Sequence, residues 1–320
     1  MKQNNYKKNF IKVLFFSLLL ILTSPIRAEL NVVTTIKPLH SLISNVMQGV
    51  GKPSLIIEGT TSPHSFTLKP SHAKLLQNAD VIFWIGEDME TFMEKSLESI
   101  VKDAEVISFM EIDSINKLKF REENIFDNHD DHADHDDHDE ENHDSHEGHA
   151  HGEFDTHIWL DPINAKEMIH EIAHELSNLD PANKNKYNVN AETTILSIDE
   201  LINNIDQSIN REAQFVVFHD AYQYFEKRFG VSSAGALTLN PDVLPGAKQI
   251  ADIQDLISDK GIRCIFSEPQ YNPKIIETLA SDMNISTGIM DPLGANIDKG
   301  TSMYSELITN IANSIKNCSK

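Results

Sequence analysis

The sequence predicts an α/β protein with two lobes, each built on a parallel sheet covered by helices, because short apolar strands alternate twice with helical stretches. The strands of the first run are Leu30–Ile36, Ser54–Glu58, Asp80–Ile85 and Glu105–Phe109. Those of the second run are Gln214–His219, Val231–Leu237, Ile262–Ser267 and Ile285–Met290. The helices expected among them include Leu39–Val50, Gly246–Lys260, Asn272–Met283 and Ser302–Lys316.

A stretch with the pattern of one long helix, residues 183–210, joins the two runs. It contains no Pro or Gly, which would kink or end a helix. Its apolar residues are Tyr187, Ile195, Ile198, Leu201, Ile202 and Ile205. A helix of about 28 residues is roughly 40 Å long at 1.5 Å per residue. We therefore predict a stiff connector that limits motion between an N-terminal lobe (29–182) and a C-terminal lobe (211–320).

Residues 1–28 have the organisation of a secretory signal peptide. Lysines come first, an apolar run follows from Val13 to Leu22, and the small residue Ala28 stands at the expected cleavage point. The apolar run has about ten residues, well short of the roughly 20 that span a bilayer. No Cys lies near the cleavage point to carry a lipid. We expect a soluble protein exported to the periplasm, in monomeric form.

The charge and the cysteines limit the possible partners and the compartment. A formal net charge of -22 argues against nucleic acid, whose phosphates require clustered Lys and Arg, and favours cations. The two cysteines, Cys264 and Cys318, stand late in the chain. A lone pair in an oxidising compartment predicts a disulfide, with two unrelated buried thiols as the alternative.

Residues 127–153 form the most biased segment of the chain. Asp, Glu and His dominate it, and it has almost no apolar residue, so we expect a disordered insertion in the N-terminal lobe. Its histidines are expected to bind metal weakly: His129, His132, His135, His138, His143, His146, His149 and His151. Zinc collection for a tighter site, zinc sensing and passive solubilisation all remain open as its role.

Four residues outside the insertion could form a tighter metal site. His64, His219 and Asp291 each follow a predicted strand, and His157 stands just before a helix that begins near Pro162. Ligands of open α/β sheets bind beyond the carboxyl ends of the strands. Because two of the four belong to each lobe, a cleft between the lobes would bring them together. Three imidazoles completed by a carboxylate or water favour Zn²⁺ over Mn²⁺ or Ca²⁺.

The other histidines allow less specific interpretations. Residues 170–174 read HEIAH and fit the HExxH pattern of zinc peptidases, in which Glu171 would be the base. The surrounding apolar residues form an ordinary amphipathic helix face, which makes this enzyme hypothesis the weaker one. His40, at a helix start, and His72, in an amphipathic helix, are interpreted as structural.

Several motifs together resemble the zinc-specific, ZnuA-like substrate-binding proteins of ABC importers. They are IKPLHSL at 36–42, SPHSFTLKPS at 62–71, LQNADVIFWIGEDMETF at 76–92, HIWLDP at 157–162, VFHDAYQYFEKRFG at 217–230, IFSEPQY at 265–271 and MDPLGA at 290–295. The resemblance implies two α/β lobes joined by one long helix, with Zn²⁺ bound between them and delivered to a membrane permease without catalysis.

The resemblance also implies which residues bind the metal. The family's ligands fall on His64, His157 and His219, and Asp291 matches a position that zinc members use variably. Manganese-binding relatives have Glu where this chain has His219, which points to zinc. Some zinc members have Glu directly before the first ligand, whereas this chain has Pro63, so water or Asp291 must fill the fourth position. An adhesin-like or zinc-storing role is the non-enzymatic alternative.

Overall fold

The computed structural model describes residues 29–126 and 152–318, which contain two four-stranded parallel sheets. The first sheet has the order β2-β1-β3-β4, with β1 Val32–Thr34, β2 Ser54–Leu55, β3 Val81–Trp84 and β4 Glu105–Ser108. The second has the order β6-β5-β7-β8, with β5 Phe215–His219, β6 Gly235–Thr238, β7 Cys264–Ser267 and β8 Ser286–Ile289. The predicted α/β class with two parallel sheets is confirmed.

Nine helices accompany these sheets in the described part of the chain. They are α1 Lys37–Val46, α2 Pro70–Gln77, α3 Thr91–Ile100, α4 Pro162–Leu179, α5 Lys184–Ser208, α6 Gln223–Phe229, α7 Ala247–Lys260, α8 Lys274–Met283 and α9 Met303–Asn317. Two short 3-10 turns cover Phe109–Glu111 and Ile158–Leu160. None of the helices described between residues 29 and 318 is both long and apolar enough to cross a bilayer.

The helix α5 stands where the sequence predicts a long helix, with 25 residues. Its buried residues recur at helical spacing and so form one face: Tyr187, Ala191, Ile198, Leu201 and Ile205. This face packs mainly against α4, and α5 also contacts α1 and α9. Because α1 comes from the first half of the chain and α9 from the second, α5 has neighbours from both halves. Its stiffness stays a prediction.

The central strands are buried because their residues are apolar on both faces, as a sheet covered by helices requires, whereas the edge strands β4 and β8 are largely exposed. All four residues of β3 and all five of β5 are buried. At the start of β7, the disulfide between Cys264 and Cys318 ties the end of helix α9 to the second sheet. The predicted disulfide is therefore confirmed.

One segment of the first half of the chain joins the second sheet. Ile125 forms an antiparallel bridge with Gly235, and Phe126 N donates to Ala234 O. Arg121 adds ion pairs to Asp220 and Glu226 at 2.7 and 2.5 Å. The residues that precede the insertion thus lie against the C-terminal lobe, although the sequence alone assigns them to the N-terminal lobe.

The observed ends of some helices and strands differ from the predicted ends by a few residues. The first helix begins at Lys37 instead of Leu39 and ends at Val46 instead of Val50. Pro38 fits that first turn because a helix leaves its first N–H groups unbonded. The second strand is two residues long instead of five. The predicted signal peptide and the eight histidines of the predicted insertion lie outside the described residues.

Candidate metal centre

Three separate parts of the chain, a loop, the residue before a turn and the end of a strand, bring His64, His157 and His219 to one place. His64 stands in the loop after β2, and the hydroxyl of Ser62 accepts a hydrogen bond from its backbone N at 3.2 Å. His157 directly precedes the buried turn Ile158–Leu160. His219 is the last residue of β5, at the carboxyl edge of the second sheet. This edge is where open parallel sheets bind ligands, as the sequence suggests.

The three imidazoles form a compact cluster. One ring nitrogen from each residue lies within 4.8 Å of the other two. The ring centroids are 5.2 Å apart for His157 and His219, 5.6 Å for His64 and His157, and 6.1 Å for His64 and His219. His157 and His219 are buried, while His64 is half-buried. Among the described residues, this is the only group of three His, Cys, Asp or Glu side chains placed to hold a metal ion.

A buried carboxylate orients His157. Its Nδ1 donates to Asp155 Oδ1 at 2.7 Å, and its backbone N donates to the same oxygen at 2.9 Å. The other oxygen of Asp155 accepts from Gln223 Nε2 at 2.7 Å. Because Nδ1 keeps its proton for this hydrogen bond, Nε2 is the ring nitrogen of His157 that can bind a metal, and it faces the centre of the cluster.

His219 has the same kind of support from Glu268. Its Nδ1 donates to Glu268 Oε1 at 2.6 Å, and both side chains are almost fully buried. Burial pushes the pKa of His219 down, but the neighbouring carboxylates, Glu268 first, outweigh it and the pKa is raised. Histidine ligands in metal sites commonly donate their other ring N–H to a carboxylate, which fixes the tautomer and raises the basicity of the ligand nitrogen.

The two supported rings face each other in the way that a shared cation requires. His157 Nε2 and His219 Nε2 are 3.3 Å apart. Because both Nδ1 atoms donate to carboxylates, both Nε2 atoms point at the same place, where a shared proton or a metal cation can lie. Two nitrogens bound tetrahedrally to Zn²⁺ at about 2.0–2.1 Å are about 3.3–3.4 Å apart. The spacing therefore fits zinc.

The space beside the three rings is small. It has a volume of about 10 Å³, near the minimum that one water molecule needs. Trp159 packs beside His157 with ring centroids 5.4 Å apart, and Tyr271 lies 6.1 Å from His219. Pro292 and Leu293 complete the wall. Such a cavity admits one ion or water and excludes an organic substrate.

Asp291 lies near the site but uses its carboxylate differently from the other supports. Its Oδ1 accepts from Gln270 Nε2 at 2.7 Å and from Leu293 N at 3.0 Å. Its Oδ2 accepts from Ala295 N at 2.6 Å. Asp291 does not belong to the cluster of ring nitrogens within 4.8 Å. Its role as a metal ligand stays a prediction.

The remaining histidines of the described chain lie elsewhere. His170 and His174, of the HExxH pattern, are exposed on α4, and His174 Nε2 lies 3.1 Å from Asn178 Nδ2. His40 is buried and lies 3.4 Å from the hydroxyl of Ser44. His72 Nδ1 accepts from the backbone N at the start of its own helix at 3.2 Å. None of them joins a group of three possible ligands in the described ranges.

Sequence reasoning missed two residues that shape the site. Asp155 stands two residues before His157, a spacing at which an Asp side chain can reach the backbone and ring of the histidine. That spacing is a signal that could have identified it. Trp159 donates from Nε1 to Pro292 O at 2.8 Å. Only the fold brings Trp159 and Pro292 together, so no signal in the sequence indicates their contact.

Two parallel sheets with their helices, and three imidazoles placed where they could hold a metal ion, are the arrangement of a candidate metal-binding protein. The family model for ZnuA, described as "Zinc-uptake complex component A periplasmic", matches residues 32–318. The chain therefore belongs to this family of periplasmic zinc-uptake components. The resemblance seen in the sequence motifs is confirmed.

The relatives in sequence agree with this membership. The chain is 45% identical over 304 residues to the high-affinity zinc uptake system protein ZnuA of Brucella abortus, covering 90% of this chain and 91% of that protein. It is 31% identical to the protein of the same name from Yersinia pestis, over 98% of this chain and 99% of that protein.

Two solved structures have the same fold. One, of ZnuA, has a TM-score of 0.75 at 21% identity and covers 92% of this chain and 100% of its own. The other, the periplasmic zinc binding protein TroA from Treponema pallidum, has a TM-score of 0.73 at 21% identity and covers 90% of this chain and 98% of its own. At this identity the likeness concerns the fold alone.

Proposed function

We propose that this protein binds Zn²⁺ with high affinity in the periplasm and delivers it to an ABC importer, as a binding component and not an enzyme. The observation that carries the proposal is the pair of imidazole nitrogens 3.3 Å apart, each oriented by a buried carboxylate. The relatives at 45% and 31% identity are named high-affinity zinc uptake proteins, which supports the same function.

The proposed ligands are His64, His157 and His219, with water in the fourth position. Water is favoured over Asp291 because both oxygens of that carboxylate already accept hydrogen bonds. His157 and His219 are held rigidly by their carboxylates, whereas His64 is half-buried and stands on a loop. Zinc would therefore enter past His64 and meet two ligands that are already oriented.

The rest of the transport cycle follows from this arrangement. Residues 1–28 would direct export and then be removed, leaving a soluble monomer. The boundaries 29–182, 183–210 and 211–320 would mark the lobes and the helix between them. The loaded protein would dock on the membrane permease of a zinc importer. The eight histidines between 129 and 151 would collect zinc weakly and raise its concentration near the tight site.

Metal analysis of the purified protein tests the proposal, followed by competition of Zn²⁺ against Mn²⁺ at the tight site. We expect one tightly held Zn²⁺ that a large excess of Mn²⁺ does not displace, because three imidazoles and one water suit zinc. Growth of a deletion strain in chelated medium, rescued by added zinc, tests uptake separately from storage or adhesion. Tight binding of Mn²⁺ in preference to Zn²⁺ would refute the assignment.

A further inference from the structure

Residues 291–297, here called the cover segment, form part of the wall of the metal cavity. Pro292 and Leu293 line the cavity beside the three histidines. Trp159 Nε1 donates to Pro292 O at 2.8 Å, which connects the segment to the turn that follows His157. Because the segment follows β8, at the carboxyl edge of the second sheet, it is anchored in the C-terminal lobe.

Asp291, the first residue of the cover segment, fixes the first half of the segment by hydrogen bonds to its backbone. Its carboxylate accepts backbone hydrogen bonds from Leu293 and Ala295. Gly294 between them has a φ of +63°, a conformation that glycine adopts readily. A Cβ at this position would also collide with the side chain of Met303. Asp291 therefore fixes the local turn of the segment, whereas the position of the segment against the first lobe depends on contacts between the lobes.

A lysine of the other lobe holds the second half. Lys37, at the start of α1, donates from Nζ to Gly294 O at 3.1 Å, Ala295 O at 2.6 Å and Ile297 O at 2.9 Å. Three donated bonds need the ammonium form, because a neutral amine has only two N–H groups. All three acceptors belong to one segment of the opposite lobe, so the side chain acts as a single clamp between the lobes.

We propose that Lys37 is a positioning residue that holds the cover segment against the metal cavity and thereby slows the release of zinc. The clamp joins β1 of the first lobe, which Lys37 follows after two residues, to the wall of the cavity in the second lobe. It acts through Pro292, Leu293 and Trp159 and does not touch the ligands. The consequence for zinc release rests on the proposed function, whereas the effect on the cover segment does not.

The substitution Lys37→Met tests the clamp, since it retains a side chain of similar length without any donor. In the metal-free protein with Trp84→Phe, Trp159 is the only tryptophan, and its fluorescence reports the contact with Pro292. We expect acrylamide to quench Trp159 severalfold faster in the Lys37→Met variant. With zinc bound, release to a chelator in stopped flow should accelerate about tenfold or more, the effect of losing a hydrogen bond from a charged donor.

Lys299→Met is the matched control, because Lys299 also pairs across the lobes, with Glu58, but on an exposed surface. It should change neither the quenching nor the release rate. Lys37→Arg keeps the charge and several donors and should restore most of the slow release. The Co²⁺ absorption spectrum should stay tetrahedral in every variant, because the ligands are untouched.

Unchanged quenching of Trp159 in Lys37→Met would overturn the proposal, as would faster zinc release without any change in quenching. If Lys37→Met fails to fold, as judged by circular dichroism, Lys37→Gln replaces it, because its shorter, uncharged side chain cannot make the three hydrogen bonds, and the same faster quenching and faster release are expected. Absence of tight zinc binding in the unsubstituted protein would instead refute the proposed function, and the quenching experiment would still test the clamp.

Discussion

Two groups of histidines in this protein differ in how the chain places them. Eight lie within residues 129–151, close together in sequence and surrounded by Asp and Glu. Three others, His64, His157 and His219, lie far apart in sequence and meet at one point of the fold. The first group owes its proximity to composition, and the second owes it to two sheets and the loops at their edges.

A tight metal site requires that its histidines be oriented, in addition to being close together. His157 and His219 each have a buried carboxylate on Nδ1, which orients the ring and leaves Nε2 ready for a metal. The eight histidines of the insertion stand in a polar stretch whose composition predicts no packed core to bury and orient their side chains. We therefore expect one tight site at the cluster and several weak ones in the insertion.

The strongest test of this comparison is removal of one cluster ligand. His219→Ala should weaken zinc binding by more than about a hundredfold, since even the loss of a residue that supports a ligand costs 10–100-fold. Competition titration with a chelator of known affinity measures the change. His174→Ala, at an exposed position on α4, is the control and should leave the tight site unchanged. Equal losses in the two variants would contradict the assignment of the cluster.

A second test separates the supports from the ligands. Glu268→Gln should weaken zinc binding roughly 10–100-fold, because an amide orients the ring of His219 less well and lowers its basicity. Asp155→Asn should act similarly on His157. Isothermal titration gives both affinities, and stoichiometry should stay at one tight ion. A loss as large as that of His219→Ala would mean that Glu268 itself binds the metal.

Deletion of residues 127–151 tests the other side of the comparison. The deletion should remove the additional weak zinc sites and leave the tight affinity within about threefold of its original value, because all three proposed ligands and their carboxylates lie outside it. Isothermal titration of both proteins over a wide zinc range measures the two classes of site. Disappearance of the tight site on deletion would place it in the insertion.

A smaller effect is a pH dependence of the free energy of unfolding, which comes from one buried carboxylate and not from the many acidic residues of the insertion. Glu90 is fully buried, and burial raises its pKa to about 7 even though Thr35, Ile85 and Gly86 donate to it. A carboxyl group that binds its proton more tightly when folded favours the folded state at low pH, and this contribution is lost as pH rises from about 4.5 to about 7.

Glu90→Gln should remove that dependence. Relative to the unsubstituted protein, the variant should gain up to about 3 kcal/mol in free energy of unfolding between pH 5 and pH 8. Urea denaturation of the metal-free proteins at both pH values measures the difference. A constant difference between the two proteins across this range would show that Glu90 stays ionised in the folded state.

Much of the fold could be predicted from the pattern of apolar residues, because strand and helix periodicity are local properties. The long helix was expected at 183–210 and lies at Lys184–Ser208, since no Pro or Gly interrupts it. Its neighbours α1, α4 and α9 could not be predicted, because they depend on which buried face meets which. The pairing of Ile125 with Gly235 was missed for the same reason.

Some features of the candidate site could likewise be predicted from the sequence, and others could not. His64, His157 and His219 could be named from residue type, from their positions after strands or before a helix, and from the family resemblance. The carboxylates of Asp155 and Glu268 could not be assigned to particular rings, because a hydrogen bond of 2.6 or 2.7 Å depends on side-chain placement. The hydrogen bonds that Asp291 accepts could not be predicted from the sequence either.

Residue chemistry and periodicity along the chain were enough to define an acidic, two-lobed α/β protein with histidines suited to zinc. Both act over a few neighbouring residues and can be interpreted in order. The tertiary structure decided which nitrogens face one another, which carboxylates orient them and how Lys37 reaches the opposite lobe. These are distances between residues remote in sequence, and only the packing of the two sheets and their helices determines them.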